Sequence, residues 1–476
     1  MSGPARPDGG RGGEATALLE RSSPRGRMAL AGVTLGSAVA ILDGSVVNVA
    51  LRTIGRDLGA SLAQLQWVVN GYLLALASLV LVGGALGDRL GRRRVYLFGV
   101  AWFTVASALC ALAQTPGQLI ALRVLQGVGA ALLTPGALAI IQSSFRPEDR
   151  APAIGTWAGL SGVAAAVGPV VGGWIVDHTT WRWVFGINVP LCALVLVLVL
   201  RAAPESRDPA AGGRRFDVAG AALTVVALGA LTYALTAVGS VAPGVVVALV
   251  ATTAAAGAAF VLVERRARPP LVPLSLFSSR VFSAANGMTL LVYGALGAVS
   301  LFVVLQLQAA GWSALAAGLS GLPVTISLLL FSSRAAALSA RIGPRIPMTV
   351  GPLVCAAGAL LLLRVGSDAG WGDVLPGMVV FSLGLAMLVS PLTAAVLAAA
   401  PDRYAGVASG VNNAVARAGS LLAVAALPPL VGLAGDDYLD AGAMTAGYRS
   451  AMLWCAGLLA AGGVVSWLGV GRGATR

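Results

Sequence analysis

The sequence predicts an all-α integral membrane protein with fourteen transmembrane helices. Of its 476 residues, 57% are hydrophobic and 11% are charged, whereas a soluble domain carries about 25% charge. The mean hydropathy is +0.86. Apolar windows of about 20 residues, long enough to cross a hydrocarbon core of about 30 Å, recur along the chain. The composition therefore excludes a disordered, collagen-like or disulfide-stapled protein.

The predicted elements follow in chain order. Residues 1–27 are rich in Gly, Pro and Arg and are predicted to be a disordered cytoplasmic tail. The apolar segment from Met28 is too long for the core of a cleaved signal peptide, so it is predicted to be a retained first span. The predicted spans are 28–51, 66–87, 95–114, 118–142, 152–176, 183–200, 217–239, 244–263, 282–308, 313–338, 346–365, 373–399, 404–433 and 446–470.

The net charge of +13 predicts the orientation of these spans. All 32 basic residues are arginine. With fourteen spans, 25 arginines fall on the side of the N-terminus, five fall on the opposite side, and Arg123 and Arg417 lie within spans. Because cytoplasmic loops collect basic residues, both termini are predicted to be in the cytoplasm, with the protein in the cytoplasmic membrane. The charge is then a topology signal, and nucleic acid is not a predicted partner.

An internal repeat divides the chain into two halves. The loop sequence 88–93, Asp-Arg-Leu-Gly-Arg-Arg, has a weaker echo at 340–345, and Asp-Arg-Ala at 149–151 has an echo at 402–405. Both pairs have nearly the same offset, which indicates two six-span halves in the same orientation. The predicted domains are an N-terminal bundle at 28–200, linkers with two extra helices at 201–281, a C-terminal bundle at 282–470 and a cytoplasmic tail at 471–476.

Six motifs support a family resemblance. They are 42–51 in the first span, Gly84 to Arg93 after the second, Leu119 to Ala131 in the fourth, Gly168 to Gly173 in the fifth, 181–190 before the sixth, and 406–413 near the start of span 404–433. Together they resemble the major facilitator superfamily, in its fourteen-span drug:proton antiporter branch. Ser45, Arg52 and Ala164 depart from the usual residues of this branch. The resemblance implies a major facilitator fold, two six-helix bundles plus two inserted helices.

Asp43 is the only acid deep inside a predicted span, and an intramembrane acid is a functional candidate by default. Desolvation favours its protonated form and a nearby arginine favours the carboxylate, so such a group can load and release a proton. The resemblance implies that Arg123 lies beside it. Alternatively, Asp43 only hydrogen-bonds a neighbouring helix and Arg123 only holds two spans together.

The other candidate residues fall into three sets. Arg417 is predicted either to line the substrate cavity or to pair with Asp43. The predicted cavity residues are Asn48, Gln126, Asn412, Asn413 and Arg417. The resemblance implies a conformational latch at Asp88, Arg89, Gly91, Arg92 and Arg93, with Asp88 capping a helix of the second half. Helix packing and bending are predicted for Gly168, Pro169, Gly172 and Gly173.

The predicted function is proton-coupled efflux of small, mostly apolar drugs or natural products by alternating access. One deep acid beside two deep arginines suits dications poorly, so neutral, monocationic or anionic substrates are expected. The alternative is a proton-coupled importer or exporter of a specific metabolite, and a channel is disfavoured. An enzyme or an ATP-driven pump is not expected, since the chain lacks a Walker lysine and has one histidine. No cofactor or metal is predicted; the expected partners are a small molecule, protons and the bilayer, with the chain acting as a monomer.

Overall fold

A computed structural model of the chain describes residues 18–207, 217–267, 272–401 and 404–471, without the side chains of residues 166 and 405. Within these ranges, fourteen helical segments are long and apolar enough to cross a membrane, which confirms the predicted number. Most of the first predicted tail and nearly all of the last lie outside the described residues. So do the predicted loop arginines Arg6, Arg11, Arg214, Arg215, Arg268, Arg403, Arg472 and Arg476.

Sixteen α-helices form these segments, because two segments are interrupted. Each pair α6–α7 and α11–α12 makes one membrane segment. The helices are α1 (Pro24–Leu58), α2 (Leu62–Leu90), α3 (Arg92–Ala111), α4 (Pro116–Ser144), α5 (Pro147–His178), α6 (Trp183–Gly186), α7 (Asn188–Ala202), α8 (Val218–Thr236), α9 (Pro243–Arg266), α10 (Arg280–Ala309), α11 (Ala314–Leu319), α12 (Leu322–Ile342), α13 (Arg345–Leu361), α14 (Trp371–Ala398), α15 (Ala405–Leu430) and α16 (Ala441–Gly469).

The first helix corrects the predicted boundary of the N-terminal tail. α1 begins at Pro24, four residues before Met28, because the Ser23 hydroxyl accepts a hydrogen bond from the Gly26 amide and proline suits the first helical turn. Just before it, Leu19 is buried and pairs with Phe145 at the end of α4. The structured part of the chain therefore begins before the predicted span, with Leu19 packed against the end of α4 and α1 starting at Pro24.

The two halves repeat one packing pattern. In the N-terminal bundle, α4 packs against α2 and α3, while α1 packs against α5 and α7. In the C-terminal bundle, α14 packs in the same way against α12 and α13, while α10 packs against α15 and α16. This correspondence, helix by helix, is what two parallel six-helix repeats require.

The two inserted helices lie at the edge of this arrangement. α8 packs against α2, α15 and α9, and the Trp67 indole of α2 donates a hydrogen bond of 3.0 Å to the Thr236 hydroxyl of α8. In α9, only 6% of the most apolar window is buried within the protein. The inserted pair is thus attached through α8, and α9 presents most of its surface to the lipid.

The halves are joined mainly at one face. We call the face at which α1 begins the N-terminal face and the other the opposite face. At the opposite face, the Gln308 amide donates to the Val49 carbonyl at 2.7 Å and the Tyr438 hydroxyl donates to the Ala60 carbonyl at 2.9 Å. Asp177 at the end of α5 accepts hydrogen bonds from the first amides of α11 at 2.8 and 2.9 Å. These contacts close the opposite face.

Candidate transport site

A cavity of about 1040 Å³ lies between the two bundles. Its deep part is formed by α1, α2, α10 and α15, and its mouth is at the N-terminal face, where Asp88, Arg89, Asp217 and Gly406 line it. The walls are largely aliphatic and aromatic, with Tyr72, Trp157 and Tyr293 among the lining residues. An apolar, concave site with a few polar groups is the usual form of a small-molecule binding site.

Polar side chains lie on one wall of the cavity. Asn413 and Arg417 on α15 are one helical turn apart, and Ser420 follows on the same face. Asn48 of α1 also lines the cavity. The structure therefore places Asn48, Asn413 and Arg417 where the sequence predicted them, and Arg417 does not pair with Asp43.

Asp43 and Arg123 form a buried ion pair beside the cavity. The carboxylate of Asp43 on α1 and the guanidinium of Arg123 on α4 are 2.5 Å apart, with side chains 0% and 1% exposed. Arg123 also donates to the Val68 carbonyl at 3.0 Å and to Gln126 Oε1 at 2.5 Å. Two of the three nitrogens of this cation, Nε and one terminal nitrogen, thus have acceptors within the protein, as burial in a membrane segment favours.

Two amide side chains complete the environment of the acid. Gln126 Nε2 and Asn188 Nδ2 each donate to Asp43 Oδ1 at 2.8 Å, and both are also within hydrogen-bond distance of the Ser107 hydroxyl. Gln126, which was predicted to line the cavity, is fully buried in this cluster and is not among the lining residues. It lies one turn after Arg123 on α4, on the side that faces α1 and α3 rather than the C-terminal bundle.

Asn412 also differs from its prediction. Its amide donates to the Thr289 hydroxyl at 2.8 Å and to Asn286 Oδ1 at 3.2 Å, and it does not line the cavity. Neighbouring residues of a helix point about 100° apart, so when Asn413 faces the cavity, Asn412 faces α10. Asn413 therefore faces the cavity, and Asn412 faces the inside of the C-terminal bundle.

Tyr72 separates the ion pair from the cavity. Its ring lines the cavity and lies over the Arg123 guanidinium at 4.3 Å, and its hydroxyl donates to the Ala40 carbonyl at 3.0 Å. A cation on an aromatic face is a favourable contact. The sequence analysis missed Tyr72, Asn188 and Ser107. Only Asn188 had a sequence signal, its place in the motif 181–190.

The loop predicted to be a latch lies at the mouth of the cavity. Asp88 accepts a hydrogen bond of 2.9 Å from Arg92 Nε, and it forms no hydrogen bond or ion pair with the described residues of the C-terminal bundle. Gly91 has a φ of 116°, in the region that favours glycine, which allows the sharp turn from α2 to α3. Glu205, which the sequence analysis did not single out, accepts hydrogen bonds from the Arg93 and Arg94 amides.

The glycine motif of α5 lies at contacts that leave no room for side chains. A Cβ added at Gly172 would lie 2.7 Å from the Val46 side chain, and one added at Gly173 would lie 2.6 Å from the Ala314 carbonyl. Gly168 is similarly close to Ser45. α5 thus approaches α1 within its own half and α11 across the halves. Gly406, by contrast, has open space around it and takes part in no such contact.

A membrane-embedded cavity between two bundles, open at one face, defines a membrane transporter. The model of the Major Facilitator Superfamily matches residues 33–424, and the chain belongs to this family. A tetracenomycin C resistance and export protein of Streptomyces glaucescens is 37% identical over 419 residues, which cover 86% of this chain and 77% of that protein. A methylenomycin A resistance protein of Bacillus subtilis is 36% identical over 431 residues, which cover 89% of this chain and 92% of that protein.

Solved structures agree with this fold. A bacterial homolog of the human lysosomal transporter Spinster, in an inward-facing and unoccupied conformation, superposes with a TM-score of 0.68 at 17% identity. The match covers 94% of this chain and 97% of that chain. The protein is a multi-pass membrane transporter and not an enzyme.

Proposed function

We propose that the protein exports small, mostly apolar drugs or natural products in exchange for protons. The observation that carries this proposal is the buried Asp43–Arg123 ion pair, which lies beside a large apolar cavity and is separated from it by Tyr72. The names of the relatives, which are resistance and export proteins, support a role in export. The arginine distribution supports a cytoplasmic N-terminal face.

The cluster around Asp43 supports a role in proton binding. Protonating Asp43 removes the negative charge that Arg123 faces, yet the Val68 carbonyl and Gln126 Oε1 remain as acceptors for the guanidinium. The protonated and ionised states can therefore both be accommodated, with a different balance of hydrogen bonds. A group with two accommodated states can bind a proton on one side of the membrane and release it on the other.

Alternating access requires the closed face to open and the open face to close. Opening would break the hydrogen bonds from Gln308 to Val49 and from Tyr438 to Ala60, together with those of Asp177 to α11. Closing would bring the start of α15 to Asp88, whose carboxylate is stabilised by the partial positive charge of a helix N-terminus. Both bundles and the cavity between them are formed by this one sequence, and we propose that a monomer carries out the cycle.

Proteoliposomes containing the purified protein test the proposal. With a fluorescent apolar probe, an imposed pH gradient is expected to drive probe transport against its gradient, with protons moving in the opposite direction. Asp43→Asn is expected to abolish this coupling while the protein still assembles. The matched control is Asp57→Asn, an acid on the same helix that pairs with Arg182 at the opposite face. Undiminished exchange in Asp43→Asn, or proton and probe moving in the same direction, contradicts the proposal.

A further inference from the structure

Arg417 is a cation in the cavity that has no counter-charge. Its Nε is buried without a hydrogen-bond partner, and its guanidinium makes no ion pair with any residue that the structure describes. Arg123, the other arginine within a membrane segment, is fully buried and has acceptors from three residues, namely Asp43, Gln126 and Val68. The two intramembrane arginines are therefore in opposite situations, although both lie near Tyr72.

The acids of the cavity wall do not compensate Arg417. Among the described lining residues, the acids are Asp88 and Asp217, and both lie at the mouth. Asp88 is held by Arg92, and Asp217 accepts a hydrogen bond of 2.8 Å from the Gly220 amide at the start of α8. The Asp43 carboxylate already forms an ion pair with Arg123. The deep part of the cavity consequently carries a net positive charge.

A buried charge is costly unless it is paired, so an uncompensated guanidinium in a binding cavity favours a ligand that brings the counter-charge. The planar guanidinium matches a carboxylate through two parallel hydrogen bonds. Asn413 and Ser420, one turn before and one turn after Arg417, add neutral hydrogen-bonding groups on the same face. The remaining walls, with Tyr293, Leu73 and Leu76, suit an apolar body.

We infer that Arg417 binds an anionic oxygen group, a carboxylate or an ionised enol or phenol, on an otherwise apolar substrate. This rests on the proposed export function and narrows its substrate class from neutral, monocationic or anionic compounds to apolar acids. The anion lies against α15 in the deep part of the cavity, and the apolar body extends toward α1 and α2.

Binding of a matched probe pair to the full-length protein in lipid nanodiscs tests the inference. Pyrenecarboxylate and pyrenecarboxamide have the same ring and nearly the same shape, but only the first is charged at neutral pH. We expect the wild-type protein to bind the acid at least about tenfold more tightly, because tenfold corresponds to about 1.4 kcal/mol, near the lower end for a hydrogen bond to a charged group.

Three variants assign this preference to Arg417. Arg417→Gln is expected to bring the two dissociation constants to within about twofold of each other, whereas Arg417→Lys keeps a preference for the acid. The control is Arg334→Gln, which also removes one positive charge but lies on α12 outside the cavity, and it is expected to keep the wild-type ratio. Wild-type protein that binds the amide as tightly as the acid, or binds neither probe, overturns the inference. A preference that survives in Arg417→Gln, or that Arg334→Gln lowers equally, also overturns it.

The binding ratio is measured without a proton gradient, so it is independent of coupling. Suppose the wild-type protein prefers the acid probe but does not exchange protons for substrate. That outcome contradicts the proposed function and leaves the role of Arg417 supported. Suppose instead that the protein exports the neutral amide in exchange for protons and binds the two probes equally tightly. That outcome contradicts only the role of Arg417.

Discussion

A double-mutant cycle on Asp43 and Arg123 measures how strongly the two buried charges depend on each other. Both side chains are at most 1% exposed, and they contact each other at 2.5 Å. Removing one partner of a buried ion pair leaves an uncompensated charge and costs about 3–5 kcal/mol. Asp43→Asn and Arg123→Gln are each expected to lower the free energy of unfolding by about that amount.

The double variant Asp43→Asn/Arg123→Gln removes both charges together. It is expected to lose about as much stability as one single variant, which gives a coupling free energy of about 3–5 kcal/mol. If the two sites were independent, the losses would add to about 6–10 kcal/mol. The neutral amides of Gln126 and Asn188 can hydrogen-bond the new side chains, which supports the smaller loss.

Unfolding titrations in mixed lipid–detergent micelles, followed by tryptophan fluorescence, measure these free energies. The matched control is the cycle on Asp57 and Arg182, an ion pair of 2.7 Å whose side chains are 46% and 36% exposed. An exposed pair of this kind is expected to couple by about 0–1 kcal/mol. If the buried pair couples no more strongly than the exposed pair, the reasoning about buried charge is refuted.

Three further predictions concern the barriers around the site. Tyr72→Ala is expected to raise the proton leak of substrate-free proteoliposomes several-fold, because the ring covers the ion pair. Tyr72→Phe keeps the ring and is expected to raise the leak much less, so equal leaks in the two variants would contradict this prediction. Asp177→Ala should weaken the contacts that close the opposite face, so a membrane-impermeant maleimide added from that face should label an Asn48→Cys reporter faster. Unchanged labelling would count against a role of Asp177 in closing that face. Gly173→Ala should lower the free energy of unfolding by about 1–3 kcal/mol, because a Cβ there meets α11. Gly162→Ala, on the same helix but beside open space, should leave that free energy unchanged, and unfolding titrations of both variants test this.

The span number, the six-plus-two-plus-six division and the Asp43–Arg123 pairing were accessible from the sequence. Length and hydropathy decide which segments can cross a bilayer, and these properties are local to each segment. The pairing was implied by the family resemblance of the motifs that contain Asp43 and Arg123, and the cost of an unpaired charge in a membrane favours it. The start of α1 was placed too late because the cap at Ser23 and the packing of Leu19 on Phe145 depend on contacts rather than hydropathy.

The exact cavity wall was harder to predict. Gln126 and Asn412 are polar residues in membrane helices, like Asn48 and Asn413, and nothing in the sequence says which of them face the cavity. A rotation of one residue along a helix turns a side chain by about 100°, which is enough to move it from the cavity into a helix interface. Asn188 and Tyr72 became visible as parts of the site only when α7 and α2 were placed beside α1 and α4.

By itself, the sequence determined that the chain is a fourteen-helix membrane protein in two repeated halves, with three charges deep inside the membrane. The cost of moving a residue from water into lipid depends on its own hydropathy and charge, so spans and buried charges can be identified along the chain without knowing the contacts between helices. Only the tertiary structure decided the place of the third charge: Arg417 lies in the cavity, and it forms no ion pair with any residue that the structure describes. The reason is that pairing depends on distances of a few ångström between helices far apart in sequence, and the packing of the two bundles sets those distances.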